Sequence, residues 1–131
     1  MLAMLCMTAQ AQEGFAVNDA FSRYGAQKGF KLVSLRDGKL KGYDLKVYKS
    51  LTFRKNAEEI AAMVKKDRAK AQKIKEVVAD GVVTTGYYTL LERQKGTNCY
   101  LLFRRDAYGC GVLIYIEGVL SAEDIMRLTK K

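Results

Sequence analysis

Three carboxylates, Glu92, Asp106 and Glu117, fall near strand ends or turns in a chain that contains no histidine. A carboxylate pair can act as general acid and base, as in glycoside hydrolysis. A hydrolase of unknown type is therefore one reading, although solvated carboxylates are ordinary at such positions and no pair stands out. The missing histidine excludes Ser-His-Asp and Cys-His triads and removes the commonest metal ligand. The three cysteines show no CxxC spacing, so a structural zinc site is not indicated. No GxxxxGKT loop or GxGxxG run occurs, and Gly109-Cys110-Gly111 reads as a turn entering a strand. The chain points to no cofactor, no metal and no catalytic residue, and the expectation is a non-enzymatic protein.

Charge is the stronger signal. The net charge is +9, and Lys39 to Asp80 holds twelve Lys/Arg against six Asp/Glu. Lys65, Lys66, Lys70 and Lys73 crowd one region expected to be helical, where a polyanion such as an acidic glycan or an anionic lipid headgroup could bind. The same lysines would also suit a solvated helix face, since they lack interleaved aromatics. Tyrosine is the second signal, at eight residues. Tyr48, Tyr100 and Tyr115 are expected on a sheet face turned away from the core, with Tyr88, or its neighbour Tyr87, beside them. There an apolar body with a polar tip suits a partner interface. Ordinary cross-strand pairing would account for them equally well.

Several elements must position these groups. Leu2, Met4, Leu5 and Met7 form a short apolar run, followed by Ala9-Gln10-Ala11. This reads as a signal peptide over residues 1–11 that lacks its basic start, leaving residues 12–131 as one α+β domain. The run is too short to span a bilayer. Export would place the protein outside the cytoplasm. Its partner would be an envelope protein or a polyanionic glycan or lipid, not nucleic acid.

Val17, Ala20, Phe21 and Tyr24 recur at helical spacing, with Gly29 as a stop. Phe30–Leu35 reads as a strand and Asp37-Gly38 as the turn into a second strand from Tyr43 to Phe53. Asn56 with Glu59 resembles a capping box. It opens a helical stripe of Ile60, Met63, Val64, Ala71, Ile74 and Val78 that Asp80-Gly81 ends. Asp67 interrupts the stripe, and capping of a second helix is the simplest account. Thr84–Leu91, Asn98–Arg104 and Gly111–Glu117 then form a meander. With its last turn at Asp106-Ala107, Cys99, Leu101 and Phe103 share a core face with Cys110, Val112, Ile114 and Ile116. Tyr100, Leu102, Leu113 and Tyr115 take the other face. That register separates Cys99 from Cys110 by about 13 Å at strand rise, beyond disulfide reach. Two buried thiols are expected, although a shifted register would allow a bond. Ser121 and Asp124 make a capping box for a closing helix to Leu128, with Leu120 stapled onto Ile125. The expected architecture is a mostly antiparallel five-stranded sheet with three to four helices on one face.

The stretch DRAKAQKIKEVVADGVVTTGYY from Asp67 to Tyr88, with LIYIEG at Leu113–Gly118, LSAEDIMRL and the Ala-Gln-Ala-Gln leader, resembles small exported proteins of unknown function from Gram-negative gut anaerobes. The resemblance covers most of the chain after the leader. It implies an envelope location and an uncharacterised α+β domain, and it transfers no catalytic role. The combined reading is an exported binding or accessory module of the cell envelope.

Overall fold

Short hairpins between β-branched segments generate most of the architecture. The computed structural model describes residues 16–40, 42–94 and 97–128. Its elements run α1 (Val17–Tyr24), β1 (Phe30–Leu40), β2 (Tyr43–Phe53), α2 (Ala57–Arg68), β3 (Ala71–Ala79), β4 (Val82–Gln94), β5 (Thr97–Arg105), β6 (Gly111–Gly118) and α3 (Ala122–Leu128). The fold is α+β with an antiparallel sheet, as expected, but the sheet has six strands, not five, in the order β1-β2-β6-β5-β4-β3. The proposed leader, residues 1–11, lies outside the described residues.

The sixth strand is β3, which replaces the second half of the expected long helix. Asp80 and Gly81 both adopt positive φ (52° and 76°) between Ala79 and Val82. That is the backbone of a two-residue hairpin turn, which Asp-Gly favours. The pair therefore reverses the chain where a helix stop was expected. The other Asp-Gly pair behaves oppositely: Asp37 and Gly38 lie inside β1, and the reversal into β2 comes at Gly42 (φ 87°). Asn56 is left-handed (φ 62°) and makes no backbone capping bond; its amide instead donates to the Glu59 carboxylate.

The β5–β6 ladder runs three residues away from the expected register. Arg105 pairs with Gly111, Phe103 with Leu113 and Cys99 with Glu117. An odd slip turns every side chain of one strand to the other face. The core row is therefore Cys99, Leu101 and Phe103 with Leu113 and Tyr115, packed under α1 and α2. Tyr100, Leu102 and Ile116 line the opposite face and pack with Leu120, Ile125 and Leu128 around α3. The helices thus cover both faces, not one. In β2 the crossover between these cores is a bulge at Lys46: Leu45 belongs to the α3 core and Val47 to the other. Lys49, three residues on, stays in the ladder opposite Tyr115 with its ammonium 5.8 Å from the Phe21 ring centre.

The closing helix forms as expected. Ser121 Oγ accepts from the Asp124 N–H at 3.1 Å, and the Asp124 carboxylate accepts from the Ser121 N–H at 3.0 Å. Asp67 caps no second helix. It is buried near the end of α2 and accepts the backbone N–H groups of Ala16 (2.7 Å) and Val17 (2.9 Å), so α2 holds the first turn of α1.

Candidate functional site

The four tyrosines do not form an exposed face. Tyr88, Tyr100 and Tyr115 are at most 2% exposed, and Tyr48 is partly buried beside the α3 core. They also divide between the two faces, with Tyr88 and Tyr115 in one core and Tyr100 and Tyr48 at the other. The Tyr100 hydroxyl donates to the Leu120 carbonyl at 2.5 Å, which ties β5 to the start of α3. The Tyr115 hydroxyl donates to Glu117 at 2.5 Å and lies 3.5 Å from Cys99 Sγ. Burial, reinforced by these partners, pushes the Tyr115 phenol up, so it remains a neutral donor satisfying the buried carboxylate. Burial also lowers the Lys49 ammonium, with Arg36 adding to the effect.

The other expected reactive groups are structural. Asp106 folds its own turn, accepting the N–H groups of Tyr108 (2.8 Å) and Cys110 (3.0 Å). The Glu92 side chain lies outside the described residues. Cys99 and Cys110 form no disulfide with each other; Cys99 is fully buried, but Cys110 sits partly exposed in the β5–β6 turn. Among the described residues no group of three potential ligands could hold a metal.

The lysine region is split by the strand that replaced its helix. Lys65 and Lys66 are on α2, Lys70 is in the following turn, and Lys73 is on β3; all four are exposed. Of these, Lys65 lines a cleft of about 340 Å³ between α2 and the β3–β4 hairpin. Lys73 helps lower the pKa of Glu76, another lining residue. Lys66 and Lys70 do not line the cleft.

The cleft has two halves. Its wall is apolar, from Ala61, Val64, Val82, Val83 and Phe103, and its cationic rim is Lys65, Arg68 and Arg105. Arg68 Nη1 and the Tyr88 hydroxyl both donate to Glu76 Oε2, at 2.9 and 2.7 Å. Gly86, opposite Glu76, makes room for this arrangement: a Cβ there would stand 2.3 Å from the Tyr88 hydroxyl. The Tyr88 bond, followed by Arg68, holds Glu76 below the usual carboxylate range, while burial, with Glu76 adding to it, raises Tyr88.

At the other side Arg105 Nη2 donates to Glu58 at 2.8 Å, which lowers the Glu58 pKa. The Arg105 side chain is only 13% exposed, and its Nη1 is buried without a hydrogen-bond partner among the described residues. A buried guanidinium nitrogen without an acceptor is costly. Both cleft carboxylates, Glu58 and Glu76, are thus shifted downward by their hydrogen-bond partners. Arg105 was missed in the sequence because it ends a strand far from the lysine-rich stretch. Only the fold brings it beside α2.

A family model described as "Family of unknown function (DUF6108)" matches residues 4–129. No curated protein and no solved structure matches the chain.

Proposed function

The chain belongs to this family of unknown function, and from its own geometry we propose a non-enzymatic binding module whose site is the α2–hairpin cleft. Its ligand is an amphipathic anion. The apolar body lies against Val64, Val83 and Phe103, and the carboxylate or phosphate head pairs with the cationic rim of Lys65, Arg68 and Arg105. The joining of an apolar wall to a rim of three cationic side chains in one cleft is the observation that supports this reading. It shifts the expected binding surface from the tyrosines to the cleft, and of the four candidate lysines it keeps Lys65 as a rim residue.

Calorimetric titration with alkyl carboxylates and alkyl phosphates of increasing chain length tests it. Affinity should rise with chain length through burial of about 0.8 kcal/mol per methylene. Arg105→Gln should abolish binding, while Lys66→Gln leaves it unchanged. A wild-type protein that binds none of the series would reject the site. The polyanion alternative makes the opposite prediction. Binding to an acidic glycan or an anionic vesicle would fall steeply with salt and depend on Lys66, Lys70 and Lys73, not on Arg105.

Export to the envelope belongs to the same reading. Its support is the apolar run Leu2–Met7 and the small-residue sequence Ala9-Gln10-Ala11. Among the described residues no helix is long and apolar enough to cross a membrane. Mass measurement of the N-terminus after expression in a Gram-negative host tests the export. A chain that begins at Gln12 in the periplasmic fraction supports it, and an uncleaved chain in the cytoplasm refutes it.

A further inference from the structure

The two edges of the sheet, β1 and β3, differ in character. β3 is broken by register shifts at Lys73/Lys75 and Val77/Val78 and carries lysines at 73 and 75. Bulges and lysines are devices that keep an edge from pairing. β1 pairs with β2 without a shift from Phe30 to Arg36, and no strand among the described residues lies on its outer side. It leaves Leu32, Val33 and Leu35 each 38–41% exposed.

We propose that β1 is a self-association edge: two copies pair their β1 strands antiparallel about a twofold axis at Ser34, joining two sheets into one. Opposed residues of an antiparallel pair share a face, so a twofold axis through the sheet requires a residue to face its own copy. Centred on Ser34, Val33 opposes Leu35 of the second copy, and Lys31 opposes its Asp37. Each contact occurs twice. The neighbouring permitted registers are worse. Centring on Leu35 brings Lys31 against Lys39, and centring on Arg36 brings two guanidinium groups together. Centring on Val33 sets Lys31 against Leu35 and Phe30 against Arg36. The Ser34 register also sets Leu32 against Arg36, but among these registers it alone unites opposite charges, Lys31 with Asp37, while pairing Val33 with Leu35. Lys31, Val33 and Leu35 stand opposite Thr52, Ser50 and Tyr48 on the face away from α1 and α2. On that face neither α1 nor α2 covers β1; on the other, Leu32 packs beside Gly25 at the end of α1.

Sedimentation velocity on the folded chain tests the proposal, with circular dichroism confirming that each variant folds. The expected result is a dimer with a dissociation constant of about 10 µM or tighter. Val33→Lys should be monomeric at an unchanged melting temperature. Lys31→Glu places Glu against Asp37 and should weaken the dimer about tenfold or more. Adding Asp37→Asn, which tolerates the left-handed backbone there (φ 49°), removes the repulsion and should recover most of that loss. A monomer at all concentrations, with the edge closed by the chain's own residues or left open, overturns the proposal. So does a dimer that survives Val33→Lys, or a double variant no tighter than Lys31→Glu.

Discussion

A buried carboxylate is tolerated when its oxygens have donors, and Asp67 meets that condition with the N–H groups of Ala16 and Val17. Its position was visible in the sequence as a charge interrupting an apolar stripe. Its partners were not, because they lie 51 and 50 residues away. Asp67→Ala leaves both N–H groups without their acceptor and should cost about 2–3 kcal/mol. The urea midpoint should fall with an unchanged slope. Glu76 gives the pH prediction. Its folded pKa is depressed, first by the Tyr88 hydroxyl and then by Arg68, from a reference near 4.5. A depressed carboxylate contributes stability that is fully present above the unfolded value and lost as pH falls through the folded one. The stability gap between wild type and Glu76→Gln should therefore be full at neutral pH and narrow progressively as pH falls below about 4.5. Urea melts at pH 7 and pH 3.5 measure it.

Most elements could be read from local chemistry, and the failures share a physical origin. The Ser121–Asp124 capping box, the α1 stripe and the three meander strands are fixed by nearby residues, and they form where expected. β3 was missed because Ala71, Ile74 and Val78 also fit a helical period, while its lysines suit a helix surface. The stronger clue was the β-branched Val77, Val78, Val82 and Val83 flanking Asp80-Gly81, the composition of a hairpin. The β5–β6 slip follows from a turn whose length periodicity does not specify. Asp106 caps a loop closed at Gly109 (φ 88°), and the strands resume only at Gly111. Because the slip is odd, it exchanged Leu113 and Tyr115 with Ile114 and Ile116 between the faces. Gly111 fixes this register. A Cβ there would stand 2.0 Å from the Arg104 carbonyl oxygen and 2.7 Å from the Phe53 ring. Gly111→Ala should therefore destabilise by about 1–3 kcal/mol, read from the thermal midpoint. Gly42→Ala, which has open space around its Cβ position, should cost only about 1–2 kcal/mol from its left-handed backbone.

At the scale of the whole molecule, the sequence disclosed the fold class and the positive charge but not the cleft. The cleft exists only where α2, the β3–β4 hairpin and the end of β5 converge. The tyrosines, conspicuous in the sequence, went largely into the two cores because the slip and the third helix covered both faces. The strand order has a kinetic consequence. Five of the chain's strand-to-strand neighbours meet through ladders, and all but β2–β6 join strands consecutive in sequence. The β1–β2 hairpin and the β3–β6 meander can each zip locally, whereas their seam must close a loop of roughly sixty residues. That closure costs about 3–4 kcal/mol of chain entropy before any contact across the seam offsets it. The seam should therefore set the folding rate. In stopped-flow chevrons, Leu51→Ala at the seam and Gly81→Ala in the hairpin that forms before it should both mainly slow refolding, with little change in the unfolding rate. Until the seam closes, the central strands β2 and β6 each present a bare apolar border. Crowding the refolding mixture should then divert chains into aggregates, even though the finished sheet hides both borders.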